Sequence, residues 1–342
     1  MNFAFGRYKR LMISLLLAAL SSTAMAESRP SSLPSTDVCS ESARPESYRG
    51  AFLKDFKILQ KGEQDWLFRD KDLRRAYGPR AKGYRQLQQL QQFLHSRGTA
   101  LVMVPIPGRA LIHPEYLGAI QYDVLSGRQS YSRYLAQLRA TDIVVPAIDS
   151  LFAQTQSKLL FFARDHHWNH HGARTIARLT ASAIRSEDIS GIVRQKFTSY
   201  GVGGNYVDGS LQQAAWALCQ KRYPKEPFKL YQTVPVSNSV ADDLLIAELP
   251  IAQIVLVGTS NSKGQLQFNF AGFLAHYSYT AVDNKAKSGA GFGGALADYL
   301  RSEQFKQSPP KVLVWEIPGY YSLNETAFFD DLLKNLEVRP ST

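Results

Sequence analysis

The stretch IAQIVLVGTSNS, residues 251–262, decides the fold class of this chain. Its apolar run IVLV ends at Gly258 and passes into polar residues that open a helix. A short apolar run bounded by glycine is typical of a strand that is buried on both faces, as in parallel sheets covered by helices. The stretch therefore predicts a strand, a sharp turn and a helix, with Ser260 exposed at the turn.

The same alternation of apolar runs and amphipathic segments recurs on both sides of this stretch. Further strands are predicted at WLF (66–68), TALVMVPIP (99–107), DIVVPAI (142–148), KLLFFA (158–163), YTAVD (279–283) and KVLVWEIP (311–318). Helices are predicted within 79–98, 128–140, 170–184, 265–277 and 295–305. Strands that alternate with helices indicate a three-layer α/β fold with a mostly parallel sheet. A Gly-, Tyr- and Lys-rich segment at about 190–247 breaks this rhythm and is predicted to be a cap-like insertion.

The first 26 residues have the pattern of a cleaved secretory signal. A basic start is followed by the apolar run LMISLLLAAL and by the small-x-small sequence Ala24-Met25-Ala26. No later stretch is apolar enough for a membrane helix. We therefore expect a periplasmic protein with one domain over residues 27–342.

The formal net charge of +11 falls to about +8 once the three cations of the signal are removed. A basic surface outside the cytoplasm favours anionic glycans or lipid headgroups as partners over nucleic acid, although a role in solubility alone is an equal alternative. Two cysteines remain, Cys39 and Cys219, and in an oxidising compartment they are predicted to form a disulfide. Two buried free thiols are the alternative.

Polar or glycine-rich segments follow three of the predicted strands, at RDHHWNHHG, GTSNS and KSGAGFGG. Catalytic groups of open parallel sheets gather beyond the carboxyl ends of the strands. Ser260 is therefore predicted to be a nucleophile, with backbone N–H groups near any oxyanion that forms. The alternative is that Ser260 or Ser262 only caps the helix.

A serine nucleophile needs a base, and RDHHW offers one. In an extended chain, alternate residues face the same side, so Asp165 and His167 would point together while His166 points away. We predict His167 as the base, oriented by Asp165. Asn169 is expected to cap the following helix, and His166 and His170 are expected to be surface residues.

These motifs also allow two other kinds of site, a zinc site and a dinucleotide site. A zinc site would use Asp165, His167 and one further histidine, but the H-E-x-x-H spacing is absent and no metal is predicted. Gly289, Gly291 and Gly294 match the dinucleotide pattern G-x-G-x-x-G, with Glu316 further along. Since nicotinamide cofactors belong to the cytoplasm, we expect no cofactor and interpret the loop as part of the oxyanion site.

Six short motifs, taken in order, resemble the SGNH-hydrolase-like O-acetyltransferases of bacterial exopolysaccharide synthesis, the AlgX/AlgJ family of alginate acetylation. They are GEQDWLF, VPIPGR, DHHW followed by Gly172-Ala173, GTSNS with Asn269-Phe270, AKSGAGFGG and WEIP. The resemblance implies the catalytic set Asp165, His167 and Ser260. Beside this set, we expect Gly291, Asn269, Arg109 and Trp168 to bind substrate or the oxyanion.

This chain departs from the family pattern at Asn261, at Asn169-His170-His171 and at Gly319-Tyr320, and we expect these departures to affect the choice of acceptor more than the reaction. With the sequence ending at Thr342, we expect no C-terminal carbohydrate-binding module.

The function expected from these motifs is acetyl transfer to hydroxyls of an exopolysaccharide. The transfer is expected to proceed through an acetyl-serine intermediate. Arg109 and the basic excess are expected to guide an anionic polymer, and a membrane-bound acetyl-transfer or export complex is the expected partner. The alternatives are a polysaccharide acetylesterase with the same residues, or a non-catalytic glycan-binding subunit of an export complex.

Overall fold

The computed structural model describes residues 35–154, 157–236, 252–264 and 268–336. The predicted signal, residues 1–26, and the end of the predicted insertion lie outside the described residues. From Thr36 onward the chain forms one unit. No helix among the described residues has both the length and the apolar character needed to cross a membrane.

Four parallel strands form the central sheet, in the order Ala100–Ile106, Val312–Pro318, Ile254–Val257 and Val282–Asn284. The strands of the described chain are β1 (Gln60–Lys61), β2 (Leu67–Phe68), β3 (Ala100–Ile106), β4 (Phe197–Val207), β5 (Glu226–Pro235), β6 (Ile254–Val257), β7 (Val282–Asn284) and β8 (Val312–Pro318). Every residue of β6 and β8 is buried, although side chains alternate between the two faces of a strand. The sheet is therefore covered on both faces, as the apolar runs predicted.

Helices precede and follow these strands along the chain. The α-helices are α1 (Gly50–Lys54), α2 (Ala81–Ser96), α3 (Arg109–Ile112), α4 (Val124–Arg139), α5 (His170–Ser186), α6 (Ser210–Cys219), α7 (Ser260–Lys263), α8 (Phe270–Ser278), α9 (Gly294–Leu300), α10 (Glu303–Gln307) and α11 (Thr326–Asn335). Short 3-10 turns lie at Ser40–Ala43, Pro45–Ser47, Glu63–Asp65, Asp70–Leu73, Pro114–Tyr116 and Ile148–Ala153. Helix α2 packs on β3 and α11, and α5 packs on β3 and α8.

Three local predictions need correction. The strand predicted at 142–148 is reduced to one parallel bridge between Val144 and Val102. The strand predicted at 158–163 is absent, and Phe161 instead forms an antiparallel bridge with Trp168 across a bend. The helix predicted at 295–305 is divided into α9 and α10, because the Ser302 hydroxyl caps a second helix by accepting from Phe305 N–H.

The predicted insertion contains an antiparallel ribbon of β4 and β5 with α6 between its strands. The expected disulfide joins Cys39 to Cys219, the last residue of α6, with Cα atoms 5.7 Å apart. Apolar residues of α6 (Leu211, Ala214, Ala215) form a small separate core with the N-terminal segment, through Tyr48, Phe56, Leu59 and Leu67. The insertion is therefore anchored to the N-terminal segment by both a covalent bond and apolar packing.

Candidate active site

Three side chains from distant parts of the chain form a continuous hydrogen-bonded row. His167 Nε2 lies 2.8 Å from Ser260 Oγ, and His167 Nδ1 lies 2.5 Å from Asp165 Oδ1. In this arrangement the ring can accept a proton from the hydroxyl while the carboxylate holds the opposite N–H. The structure thus brings together the three residues predicted to be catalytic.

Ser260 is placed by the turn between β6 and α7. Thr259, rather than Ser260 or Ser262, caps α7, because its hydroxyl accepts the N–H of Asn261. At Gly258 a Cβ atom would lie 2.6 Å from Glu316 Oε2, so only glycine allows this close approach. Ser260 therefore starts the helix with its hydroxyl free to face His167.

Glu316 on β8 stabilises this turn through hydrogen bonds. Its fully buried carboxylate accepts the Thr259 N–H at 2.8 Å and the Ser262 hydroxyl at 2.9 Å. Burial raises the pKa of Glu316, and these hydrogen bonds partly oppose the rise. Glu316 thus stabilises the turn that carries Ser260. The dinucleotide alternative required this carboxylate to bind a ribose, and it is not placed to do so.

Asp165 is held by hydrogen bonds from two segments. Its Oδ1 accepts the His167 N–H at 2.8 Å, and its Oδ2 accepts the N–H of Ser210 at 2.8 Å. Burial alone would raise the pKa of Asp165, but the His167 ring and these hydrogen bonds hold it well below the usual range. The carboxylate therefore stays charged beside the base.

His166 was expected to point away from the site, and this prediction is wrong. Its ring centroid lies 3.8 Å from that of His167, and its Nδ1 lies 2.6 Å from Ser210 Oγ. The physical reason is that residues 163–167 form a bend, so that alternate residues do not face opposite sides. Burial and the neighbouring charges of His167 and Arg69 keep the pKa of His166 well below its ordinary value.

His170 was also expected at the surface, but it is only 8% exposed. Asn169 caps α5 as predicted, since its side-chain oxygen accepts the N–H groups of His171 and Gly172. Burial, followed by the charges of His171 and Arg174, lowers the pKa of His170 to about 4. His170 is therefore neutral near pH 7.

The Ser260 side chain opens into a cavity of about 200 Å³. Its lining comprises Asp55, Phe56, Arg69, His166, Thr259, Ser260, Asn261, Gly289, Gly291, Pro318, Tyr320 and Tyr321. The glycine loop reaches the site because Lys287 N–H donates to Gly258 O. Gly289 and Gly291 have φ values of 73° and 64°, in the left-handed region that glycine adopts without strain.

Among the described residues that line this cavity, Arg69 is the cationic one; it lies 3.7 Å from the Asp72 carboxylate, and sequence reasoning did not single it out. Its guanidinium is 2% exposed, donates to the Asp55 carbonyl, and lies 5.4 Å and 5.2 Å from the ring centroids of Phe56 and Tyr320. Burial would lower the pKa of Arg69, but Asp72 and Tyr320 raise it. No sequence pattern distinguishes Arg69 from the other basic residues, because its importance comes from where it is buried.

Arg109 was expected to guide a polymer, and the structure corrects this prediction. Arg109 is 1% exposed, and it donates to the carbonyl groups of Leu67, Phe162 and Ala163 at 2.6, 2.6 and 2.9 Å. Arg109 does not line the Ser260 cavity, and its guanidinium already donates to these carbonyl groups, so it does not face a ligand there. Arg109 instead joins β2 to the segment that leads into the Asp165 bend.

Trp168 and Asn269 also lie outside the cavity lining and do not take the predicted substrate-binding positions. Trp168 is fully buried, and its indole N–H donates to the Asn261 carbonyl at 3.0 Å. The Asn269 amide donates to Thr233 Oγ1 at 3.0 Å, which ties α8 to β5. Both side chains position the elements around Ser260 rather than face a ligand.

The residue set for the zinc alternative is also present. Asp165, His166 and His167 offer ligand atoms that lie within 4.8 Å of one another. Within this set, Asp165 Oδ1 is hydrogen-bonded to His167 Nδ1, whereas His166 Nδ1 is hydrogen-bonded to Ser210 Oγ. Structural and catalytic zinc sites use three or four protein ligands, so the metal content of the purified protein is a direct test of this alternative.

The fold and the strand–turn–helix that carries Ser260 define an SGNH-hydrolase-like protein. A family model described as "SGNH hydrolase-like domain, acetyltransferase AlgX" matches residues 59–319. The chain belongs to this AlgX family.

Known relatives extend over most of the chain. Alginate biosynthesis protein AlgX of Pseudomonas aeruginosa is 34% identical over 330 residues, covering 94% of this chain and 69% of the relative. Probable alginate O-acetylase AlgJ of the same organism is 28% identical over 272 residues, covering 76% of this chain and 69% of the relative.

Solved structures agree with this assignment. The structure of Pseudomonas aeruginosa AlgX aligns with a TM-score of 0.79 at 32% identity, covering 88% of this chain and 71% of that one. The O-acetyltransferase domain of Pseudomonas putida AlgJ aligns with a TM-score of 0.65 at 24% identity, covering 82% and 99%. The second likeness shows the fold alone.

Proposed function

We propose that this protein is an O-acetyltransferase that moves acetyl groups onto hydroxyls of an exopolysaccharide through an acetyl-Ser260 intermediate. The observation that carries the proposal is the row of hydrogen bonds from Asp165 through His167 to Ser260. The names of the relatives, alginate biosynthesis protein and probable alginate O-acetylase, support this class of substrate and reaction.

In the first half-reaction, Ser260 Oγ attacks the carbonyl carbon of an acetyl donor while His167 Nε2 takes its proton. Asp165 keeps the ring oriented and stabilises the imidazolium that forms. The donor's leaving group departs with the proton from His167. Backbone N–H groups of the loop at Gly289 and Gly291 are the proposed donors to the oxyanion.

In the second half-reaction, a sugar hydroxyl gives its proton to His167 and attacks the acetyl carbonyl. The ester bond to Ser260 breaks, and Ser260 Oγ recovers the proton from His167. Arg69 supplies a fixed positive charge inside the cavity, which favours an acceptor that carries carboxylates, such as a polyuronate. Export by the signal at residues 1–26 would place this reaction in the periplasm, with acetyl supplied by a membrane-bound complex.

The test is to incubate the protein with an aryl acetate, with and without an oligouronate, and to follow both acetyl-Ser260 and acetylated sugar by mass spectrometry. We expect Ser260→Ala to abolish both products, with Ser96→Ala, an exposed serine of α2, as the matched control. Hydrolysis that is indifferent to the oligouronate would favour the esterase alternative. Polymer acetylation that persists in Ser260→Ala would contradict the mechanism and favour the non-catalytic alternative.

A further inference from the structure

A second cavity lies on the inserted segment, away from the Ser260 cavity lining. It has a volume of about 460 Å³ and is formed by α6 and the connection from α6 to β5. The residues that give it its chemistry are Gln212, Trp216, Arg222, Tyr223 and Lys225.

Trp216 gives this cavity an open aromatic surface. It is 39% exposed, whereas the other three tryptophans of the chain are at most 2% exposed. The guanidinium of Arg222 lies 4.2 Å from its ring centroid. A large aromatic ring that remains in water beside a cation is the kind of anchor found at binding sites.

Two side chains of the lining leave hydrogen-bonding capacity unused. Tyr223 and Gln212 are each 8% exposed, and within the described part of the chain Tyr223 OH and Gln212 Oε1 have no hydrogen-bond partner. The other amide atom of Gln212 donates to Asp208 Oδ1 at 2.5 Å. Because buried polar groups are usually satisfied, a ligand rich in hydroxyl groups suits this wall.

The charge of the cavity is positive. Arg222 and Lys225 are exposed in its lining, and the single acidic residue among the described lining residues, Asp208, accepts a hydrogen bond from Gln212. Cations that face a cavity attract a ligand that carries negative charge, and the attraction weakens as salt increases.

We propose that this cavity is a second binding site for an anionic saccharide segment of the polymer, and this identification of the ligand rests on the proposed function. Helix α6 connects the two sites. Ser210, at its start, contacts Asp165 and His166, and Trp216 follows six residues later, a rise of about 9 Å along the helix. A polymer held at Trp216 would keep its neighbouring sugars near Ser260 and raise their local concentration there.

The experiment measures oligouronate binding by calorimetry in the full chain carrying Ser260→Ala, so that no acetyl chemistry is needed. Trp216→Ala and Arg222→Gln are expected to weaken binding about tenfold each, as anchor residues do. Leu125→Ala and Arg133→Gln, which alter an exposed apolar residue and an exposed arginine on α4, are the matched controls and should bind normally. A neutral glucan oligosaccharide of equal length should bind about tenfold more weakly than the oligouronate.

The outcomes separate this site from the proposed function. Normal binding by both Trp216→Ala and Arg222→Gln would overturn the second site, even in a protein that transfers acetyl. Equal binding of the neutral and the anionic oligosaccharide would overturn its specificity for charge. If the two variants bind weakly but the protein with intact Ser260 transfers no acetyl, the second site stands and the proposed reaction fails.

Discussion

The backbone N–H of Ser210 donates a hydrogen bond of 2.8 Å to Asp165 Oδ2, the oxygen that does not face His167. Ser210 is the first residue of α6, and the last residue of that helix, Cys219, is bonded to Cys39. The inserted helix thus connects the disulfide at one end with the orienting carboxylate at the other. This relationship implies that the covalent anchor of the insertion affects the geometry of the candidate triad.

The first prediction concerns the disulfide. Replacing both Cys39 and Cys219 by serine is expected to reduce the free energy of unfolding by roughly 2–5 kcal/mol, because the bond closes a long loop in the unfolded chain. The rate of acetyl-Ser260 formation should also fall, because α6 is less firmly held against Asp165. Denaturant unfolding and single-turnover acylation measure the two effects, and a stable variant with an unchanged rate would contradict the connection to Asp165.

The second prediction concerns Gly209, which precedes α6. A Cβ atom at this residue would lie 2.1 Å from the Arg164 carbonyl oxygen, so Gly209→Ala must displace the start of α6. We expect at least a tenfold lower acylation rate and a loss of about 1–3 kcal/mol of stability. The matched control is Gly201→Ala, where the added Cβ would lie 3.9 Å from its nearest neighbour, the Leu230 carbonyl oxygen. This substitution should have little effect on the acylation rate or on stability.

The third prediction concerns the buried carboxylate under the Ser260 turn. Glu316→Gln replaces one acceptor oxygen by an amide donor that faces the Thr259 N–H or the Ser262 hydroxyl. Leaving a buried group without its partner is expected to cost about 1–3 kcal/mol of stability and to lower kcat more than it changes KM for an aryl acetate. Glu46→Gln, at an exposed glutamate, is the control. An unaltered kcat in a folded Glu316→Gln protein would exclude a positioning role.

The fourth prediction is a pH dependence of stability that arises at His170. Its pKa is about 4 in the folded protein and near 6.5 when unfolded, so the unfolded chain binds the proton more readily. The contribution of neutral His170 to the free energy of unfolding is fully present above pH 6.5 and is lost as the pH falls towards 4. At pH 5 the loss is about 2 kcal/mol.

His170→Gln should therefore flatten the decline in unfolding free energy between pH 7.5 and pH 5. Chemical denaturation at both pH values measures the slope. His95→Gln, at an exposed histidine of α2, should retain the slope of the unaltered protein. The same slope in His170→Gln and in the unaltered protein would assign the pH dependence to other groups.

The fifth prediction concerns Arg69. Arg69→Lys keeps a positive charge but removes the planar group that lies near Phe56 and Tyr320 and can bind a carboxylate through two hydrogen bonds. We expect KM for an oligouronate acceptor to rise about tenfold, with a much smaller change for a neutral acceptor. Equal changes for the two acceptors would mean that Arg69 only maintains the fold.

Several features of this protein follow from the local chemistry of its sequence. The apolar runs predicted β3, β6 and β8, because continuous burial requires apolar side chains on both faces of a strand. The cap at Asn169 followed from the hydrogen bonds that its side chain offers to nearby N–H groups. The three residues that the structure brings together, Asp165, His167 and Ser260, were also selected from the sequence, although the extended backbone assumed for Asp165 and His167 is a bend in the structure.

The tertiary structure alone decided which neighbouring side chains face the site. His166 lies in the site because the chain bends at residues 163–167. Arg109 lies outside it because its guanidinium donates to the carbonyl groups of Leu67 and Phe162, in segments that are distant from it in sequence. Arg69 and Glu316 entered for the same reason, since packing of remote segments places a charge in a cavity or under a turn. Local sequence patterns indicate which residues can form a strand, cap a helix or act as a base. The exposure and the hydrogen-bond partners of each side chain depend on packing between distant segments, which no single stretch of sequence determines.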